Sequence, residues 1–222
     1  MKIGRIQTKE NNGLVFTSVN VESTQGSQKL WYSIEKPYSH LLSQKSDAFL
    51  LALLIPAMAA GEDIYIQGTV SKVLLYNLSN NYQRILKAII PSLRGIRIFP
   101  SDISQNKDSH PTGVATGFSG GIDSYCVLSD HHETDYSDPY KITHLLFNNV
   151  GSHGRDGESL FFERYRGLLP TARNLNLPFL QVNSNLDSFY GKGLGFEQTH
   201  SPRNTSVGLL LQGGLGAYLY AS

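Results

Sequence analysis

Six consecutive residues, Ser119-Gly120-Gly121-Ile122-Asp123-Ser124, place two hydroxyls, two adjacent glycines and a carboxylate between a short apolar run beginning at Gly113 and a helical run ending near Leu128. Adjacent glycines let the backbone turn so that successive N–H groups point into one concavity. Ser119 and Ser124 add hydroxyl donors, and the helix that follows adds the positive end of its dipole. Such a turn suits a pyrophosphate. Asp123 is misplaced beside phosphates unless it holds a Mg²⁺ that neutralises them, so the motif implies a metal as well.

Other chemistries compete for the same residues. A Walker P-loop needs a Lys followed by Ser or Thr where Ile122, Asp123 and Ser124 stand, and a dinucleotide fingerprint needs a spacing that Gly117, Gly120 and Gly121 do not have. A nucleophile elbow fits better, because Gly117-Phe-Ser-Gly-Gly121 satisfies G-x-S-x-G between strand and helix. Ser119 would then be a hydrolase nucleophile, with Asp187 and His200 following in the right chain order. The short polar strand before Ser119, the lack of an HGGG-type oxyanion loop and the idle Asp123 and Ser124 argue against it. A glycine turn that merely connects strand to helix is the plainest alternative.

The elements that must position this turn alternate. Strands at "GVATGFS", "KITHLLFNN", "PFLQVNS" and "GAYLYAS" are separated by helices beginning near Ile122, Glu158 and Asn204, the pattern of an open parallel sheet with crossover helices. Ligands bind such sheets beyond the carboxyl ends of the strands, where strand order reverses. Residues 1–100 read instead as a smaller α+β domain without a catalytic motif. It has strands near Leu14–Val19 and Leu30–Ile34, an apolar helix over Ala48–Ala60, a strand at "DIYIQG", a helix carrying Leu74, Leu78, Ile85 and Ile89, and "GIRIFP". The polar stretch 101–112 reads as the linker between the two, leaving 113–222 as the ligand-binding unit.

Composition narrows the classes. With 19 basic and 18 acidic residues and a net charge of +1, no tract argues for a nucleic-acid partner. The most apolar run, Ala48–Ala60, is shorter than the roughly 20 residues a membrane span needs, and no signal peptide precedes it. A single cysteine, Cys126, excludes an internal disulfide and a Cys-rich zinc site, and a cytoplasmic location is the expectation.

The S-G-G-x-D-S motif after a β-strand resembles the PP-loop signature of the ATP pyrophosphatases, and all six positions match. The resemblance covers about Gly113 to Ser222, where "FFERYRGLLPTARNLNLPFLQVNSNL" looks like the second crossover helix and third strand. It implies an α/β fold of the HUP, Rossmann-like kind. It also implies an activity: ATP is cleaved between its α and β phosphates, AMP is attached to an oxygen of a small-molecule or modified-base acceptor, and a nitrogen nucleophile displaces the AMP. ATP and Mg²⁺ are the implied cofactors. Phe118, Ser119, Gly120, Gly121, Asp123 and Ser124 would hold the phosphates, with Ser119, Asp123 and Ser124 catalytic and Asp123 on the metal. Phe147 and Asn148 would meet the adenine. Similarity to the 7-cyano-7-deazaguanine synthases is qualified by the missing zinc cysteines. The alternative is a nucleotide-binding sensor or a subunit of a larger assembly. Because "GAYLYAS" ends where the fourth strand should, a fragment, or an oligomer or partner subunit completing the site, is a further expectation.

Weaker candidates remain. Asn149, His153 and Arg155 follow the second strand and can face a nucleotide or solvent. Ser129–Asp135 has metal-ligand residue types without helical spacing. Arg166, Arg173 and Glu163 suit a solvated helix face, and Gly191–Gly195 suits a flap or a flexible connection. Arg203, just ahead of the expected last helix, is a candidate for a phosphate or an acidic substrate.

Overall fold

The computed structural model describes residues 1–105, 111–132, 138–154, 157–191 and 193–220. The most apolar segment becomes α1 (Asp47–Ala60), whose residues from Asp47 to Met58 are all buried. A helix apolar all round must be covered on every side. Here it lies against the sheet and packs on the last helix, α6 (Phe196–Leu210). The helix runs through Pro56 and stops at Gly61, which takes the left-handed conformation, φ 69°.

Around it the N-terminal half supplies β1 (Lys2–Ile3), β2 (Gln7–Asn11), β3 (Leu14–Ser23), β4 (Gly26–Glu35), β5 (Ile64–Ser71) and β6 (Ile98–Ser104), with α2 (Lys72–Asn77) and α3 (Gln83–Ile89) joined by a π-turn. The C-terminal half supplies β7 (Gly113–Gly117), α4 (Ile122–His131), β8 (His144–Asn149), α5 (Glu158–Asn174), β9 (Phe179–Ser184) and β10 (Leu215–Leu219). The result is a mixed α/β architecture with one ten-stranded sheet in the order β10-β7-β8-β9-β4-β3-β1-β5-β6, and β2 beside β3.

The C-terminal strands pair in parallel, as do β1, β5 and β6, but β9 meets β4 antiparallel, with Tyr32 opposite Ser184 and Ile34 opposite Val182. Asn185 extends that seam: its Oδ1 accepts from the Trp31 amide at 2.9 Å and its Nδ2 donates to the Lys29 carbonyl at 2.8 Å. The two halves therefore share a sheet. They also share a hydrophobic cluster that contains Leu30, Phe49 and Leu53 together with Leu146, Val182 and Val207. Across it the Tyr190 hydroxyl donates to the Ala52 carbonyl at 2.9 Å. A second cluster, with Phe118, Phe147, Phe161, Tyr165 and Phe179, lies under α4 and α5 on the other face.

Several expectations change. The sheet is not wholly parallel. Ser101–Ser104, expected in a linker, complete β6 against β5, because Thr69, Val70 and Ser71 offer a ladder after a bulge. The last helix starts at Phe196, not near Asn204, with Gly195 as its N-cap and Pro202 inside. β1 and β2, short and polar, carry no periodic signal and were not expected.

The order of the parallel strands positions the site. The chain steps from β7 to β8 to β9 in one direction, and β10 then returns to the opposite side of β7. The crossovers diverge at that point, leaving a crevice at the carboxyl ends of β7 and β10.

Candidate functional site

A cleft of about 550 Å³ opens at this reversal of strand order. Its first wall is the glycine turn. Phe118 ends the strand run, its amide bonded to the Leu146 carbonyl at 2.8 Å, and its buried ring stands edge-on to Tyr125 and Phe179. That ring anchors the turn from below. Gly120 then takes φ +74°, and a Cβ there would meet Leu168 Cδ2 at 2.7 Å, so backbone conformation and space both require glycine. Gly121 is the N-cap of α4 and offers no side-chain cap, and among the described residues no side chain bonds to the N–H groups of the first helical turn.

Ser119, Gly121, Asp123 and Ser124 all line the cleft. Ser119 and Asp123 are exposed, and among the described residues neither makes a side-chain hydrogen bond or ion pair. Ser124 differs: it is buried, and its hydroxyl donates to the Gly121 carbonyl at 2.7 Å. Its proton thus braces the turn rather than facing the cleft.

The second wall comes from β8, the turn after it and α5. Phe147 lies parallel to Phe161, centroids 5.3 Å apart, and His153 stands edge-on to both rings. Burial, and next the charge of Arg164, hold the His153 imidazolium below the usual histidine range, while Ser152 Oγ lies 3.0 Å from Nδ1. Arg164 is the basic side chain of fixed charge on the described lining.

The third wall is uncharged. Asn148, Asn204, Tyr218, Tyr220 and Phe196 line it. Asn148 Nδ2 donates to Asn204 Oδ1 at 3.1 Å and to the Tyr218 hydroxyl at 3.4 Å. Asn204 Nδ2 donates to the His200 carbonyl at 3.0 Å and to the Tyr220 hydroxyl at 3.2 Å. Gly117 has no side chain where the Tyr218 hydroxyl approaches; a Cβ would come within 3.4 Å of it.

The structure thus brings Phe118, Ser119, Gly121, Asp123, Ser124, Phe147, Asn148 and His153 together, with Gly120 shaping the turn. Others lie apart. Asn149 turns to β9, donating to Asn183 Oδ1 at 2.8 Å. Arg203, expected to face an anion, is buried in the middle of α6. Its guanidinium donates to Thr199 Oγ1, the Val150 and Leu194 carbonyls and Asp187, with the carboxylate 2.7 Å from Nη1, and it sits 3.6 Å above the Tyr190 ring. Gly151, at φ +113°, leaves the room that this guanidinium fills. The earlier start of α6 turns Arg203 inward, where it ties the Val150 carbonyl after β8 to Tyr190 and Leu194, so Leu194 is not part of a free flap.

The same pairing removes the hydrolase triad. Asp187 is engaged by Arg203, His200 Nδ1 lies 2.8 Å from the Tyr220 hydroxyl, and among the described residues neither bonds to the other or to Ser119. Arg166 and Arg173 are exposed on α5 and do not line the cleft. Arg155, Lys192 and Glu133–Asp135 lie outside the described residues, among which no group of three His, Cys, Asp or Glu side chains could hold a metal. Nor is any described helix long and apolar enough to cross a membrane. Sequence reasoning missed Arg164, Leu168, Asn204, Tyr218 and Tyr220. Tyr218 and Tyr220 stand at the end of β10, but Arg164, Leu168 and Asn204 lie inside α5 and α6, and no local pattern marks them. No protein-family model matches this chain, and no curated protein or solved structure matches it either.

Proposed function

We propose that the chain is an AMP-forming ATP pyrophosphatase of the PP-loop type, with a HUP-like nucleotide-binding half. One observation carries the reading: the S-G-G-x-D-S turn lies at the reversal of strand order, with Gly120 in a conformation only glycine takes easily and an uncapped helix terminus facing a cleft. The phosphates of ATP bind the N–H groups of this turn and the Ser119 hydroxyl. Phe147 and Leu168 provide apolar surface for the adenosine, and Arg164 adds positive charge. An acceptor oxygen attacks the α-phosphorus, the bond to the β-phosphate oxygen breaks, and pyrophosphate leaves. The turn favours that step because its donors are fixed where charge grows.

A Mg²⁺ fits the residues present. The Asp123 carboxylate is exposed and uncommitted, and Mg²⁺ bound with phosphates commonly takes one or two protein carboxylates and keeps several waters. Bound there, it supplies charge that offsets the departing pyrophosphate.

The test is chromatography of ATP incubated with the protein, Mg²⁺ and a panel of acceptors. AMP and pyrophosphate in equal amounts are expected. Formation of ADP, or affinity for ATP no better than for adenosine, would overturn the reading. Binding of ATP without turnover under every condition would favour a nucleotide-binding subunit.

A further inference from the structure

The helices α4 and α5 cover one face of the sheet, where Phe118, Phe147 and Phe179 fill the space beneath them. That face continues across β4, β3, β1, β5 and β6, and there it is open. Alternation assigns the side chains: Ile3, Val21, Leu30 and Ile64 turn to the core around α1, so Lys2, Glu22, Lys29, Tyr65 and Phe99 turn away from it, and all five are exposed. Tyr65 and Phe99 lie directly opposite each other on β5 and β6. Their rings stack with centroids 4.9 Å apart while remaining 50% and 40% exposed. The Arg97 guanidinium lies 5.4 Å over the Phe99 ring, and Lys2, the partner of Tyr65 on β1, stands on the side away from Phe99. Beside Lys2 a hollow of about 380 Å³ is lined by Arg5, Gln7, Asn20, Glu22 and Gln67. Farther along the same face Phe16 and Trp31 form a second aromatic pair, centroids 5.7 Å apart, with Lys9 opposite Phe16.

Lys2, Arg5 and Lys9 make no hydrogen bond or ion pair among the described residues, and Lys29 reaches Gln7 Oε1 at 3.4 Å. Against them stand Glu22 and Glu35, the acids on this side of β1 to β4, while Asp63 is engaged by Arg97 at 2.8 Å. The fold thus gathers a cationic face from scattered positions in a chain whose total charge is only +1. Aromatic pairs separated by amides and unpaired lysines do not resemble the core of a protein interface, where lysine is depleted. They match a chain of phosphates with unstacked bases: rings take base faces, cations take phosphates and amides take base edges. From β4 to β6 the face spans about 19 Å at the usual strand spacing, several times the roughly 3.4 Å rise of one nucleotide, which suits an oligomer rather than a mononucleotide. We propose that this face binds single-stranded nucleic acid. The inference is independent of the cleft, because none of these residues lines it.

Fluorescence anisotropy of end-labelled oligouridylate and oligothymidylate of about ten nucleotides, a length within the site sizes of single-strand platforms, tests the proposal. Both are expected to bind at low salt and more tightly than a duplex of the same length. Tyr65→Leu should weaken them at least about fivefold, the loss expected for one stacked base. Lys2→Gln and Arg5→Gln should each flatten the fall of log affinity with log salt by about 0.7, as for one lost phosphate contact. Lys87→Gln, on α3 at the α1 side of the sheet, should change neither, and ATP affinity should match the parent in all four variants. No binding at low salt, or tighter binding of the duplex, would overturn the proposal. So would parent-like affinity in a folded Tyr65→Leu protein; if that variant does not fold, unaltered salt slopes in Lys2→Gln and Arg5→Gln would do the same. A dimer that ignores the oligonucleotides and dissociates on Tyr65→Leu would assign the face to a second copy and refute the inference. Preference for oligouridylate or for oligothymidylate upholds it and tells RNA from DNA.

Discussion

Replacing Gly120 by alanine tests the turn with a single methyl group. The new Cβ meets two separate penalties. At φ +74° an L-residue sits in the left-handed region, which costs about 1–2 kcal/mol. Against this, alanine narrows the unfolded ensemble and returns about 0.4–1 kcal/mol. The methyl also lands 2.7 Å from Leu168 Cδ2, well inside ordinary contact, so Leu168 must leave its rotamer at a cost of about 0.5–1.5 kcal/mol. The net loss is about 0.5–3 kcal/mol, and for a chain of this size Tm should fall by about 1–12 °C. Function should suffer more than stability. If the turn tilts to relieve the contact, one or two N–H groups lose their aim at phosphate. Each hydrogen bond to a charged group contributes about 1.5–3 kcal/mol, so ATP affinity should fall at least about tenfold. Scanning calorimetry and ATP titration measure the two effects on one sample. Gly95→Ala is the control: its Cβ meets nothing within 4 Å, and its φ lies outside the left-handed range. A double-mutant cycle with Leu168→Ala separates the terms, because it removes the contact and leaves the dihedral cost. A Gly120→Ala protein with the parent's Tm and ATP affinity would refute the assignment of Gly120 to a strained phosphate turn.

Asp123→Asn is expected to leave the fold intact and to lower AMP formation on the order of 10²-fold, whereas Ser119→Ala should be milder, measured as initial rates at saturating ATP. Arg203→Met should destabilise the protein by about 2–4 kcal/mol, below the full value for breaking a buried ion pair because Asp187 remains partly solvated; denaturant titration checks this. The His153 imidazolium is disfavoured in the folded state, so the unfolded chain binds the proton first as pH falls. The stability that His153 contributes is complete above its unfolded pKa of about 6.5 and is lost as pH drops below it. Its NMR titration should therefore fall below that of a free histidine, and Arg164→Gln should move it part of the way back.

What a sequence makes legible depends on how far apart the interacting residues lie. The glycine turn is local: the two glycines, the hydroxyls and the helix start lie within six residues, and their backbone preferences act without help from the rest of the chain. The strands β3, β4, β5 and β7 to β10 and the helices α1, α4 and α5 were readable for the same reason, since periodicity and capping operate over one element. Ser124 marks a limit within the motif itself. Its type announces a donor, but its rotamer, hence the bond to the Gly121 carbonyl, follows from burial.

Arg203 and the uncharged wall lay beyond that range. An arginine next to a proline reads as a helix start with a free cation, until α6 begins at Phe196 and carries the guanidinium into Thr199, Asp187 and the Val150 carbonyl. Asn148 meets Asn204 and Tyr218 only because β8, α6 and β10 converge, and β4 finds β9 across some 150 residues of chain. From its sequence alone, the chain determined the glycine turn, most of its strands and helices, and the absence of a Cys-rich metal site. Only the tertiary structure decided that the two halves share one sheet, which arginine faces the cleft and which side chains face the turn across it. Those outcomes depend on pairings between distant segments, and a choice among such pairings is made by the shape and burial of the whole molecule rather than by the preferences of any single stretch.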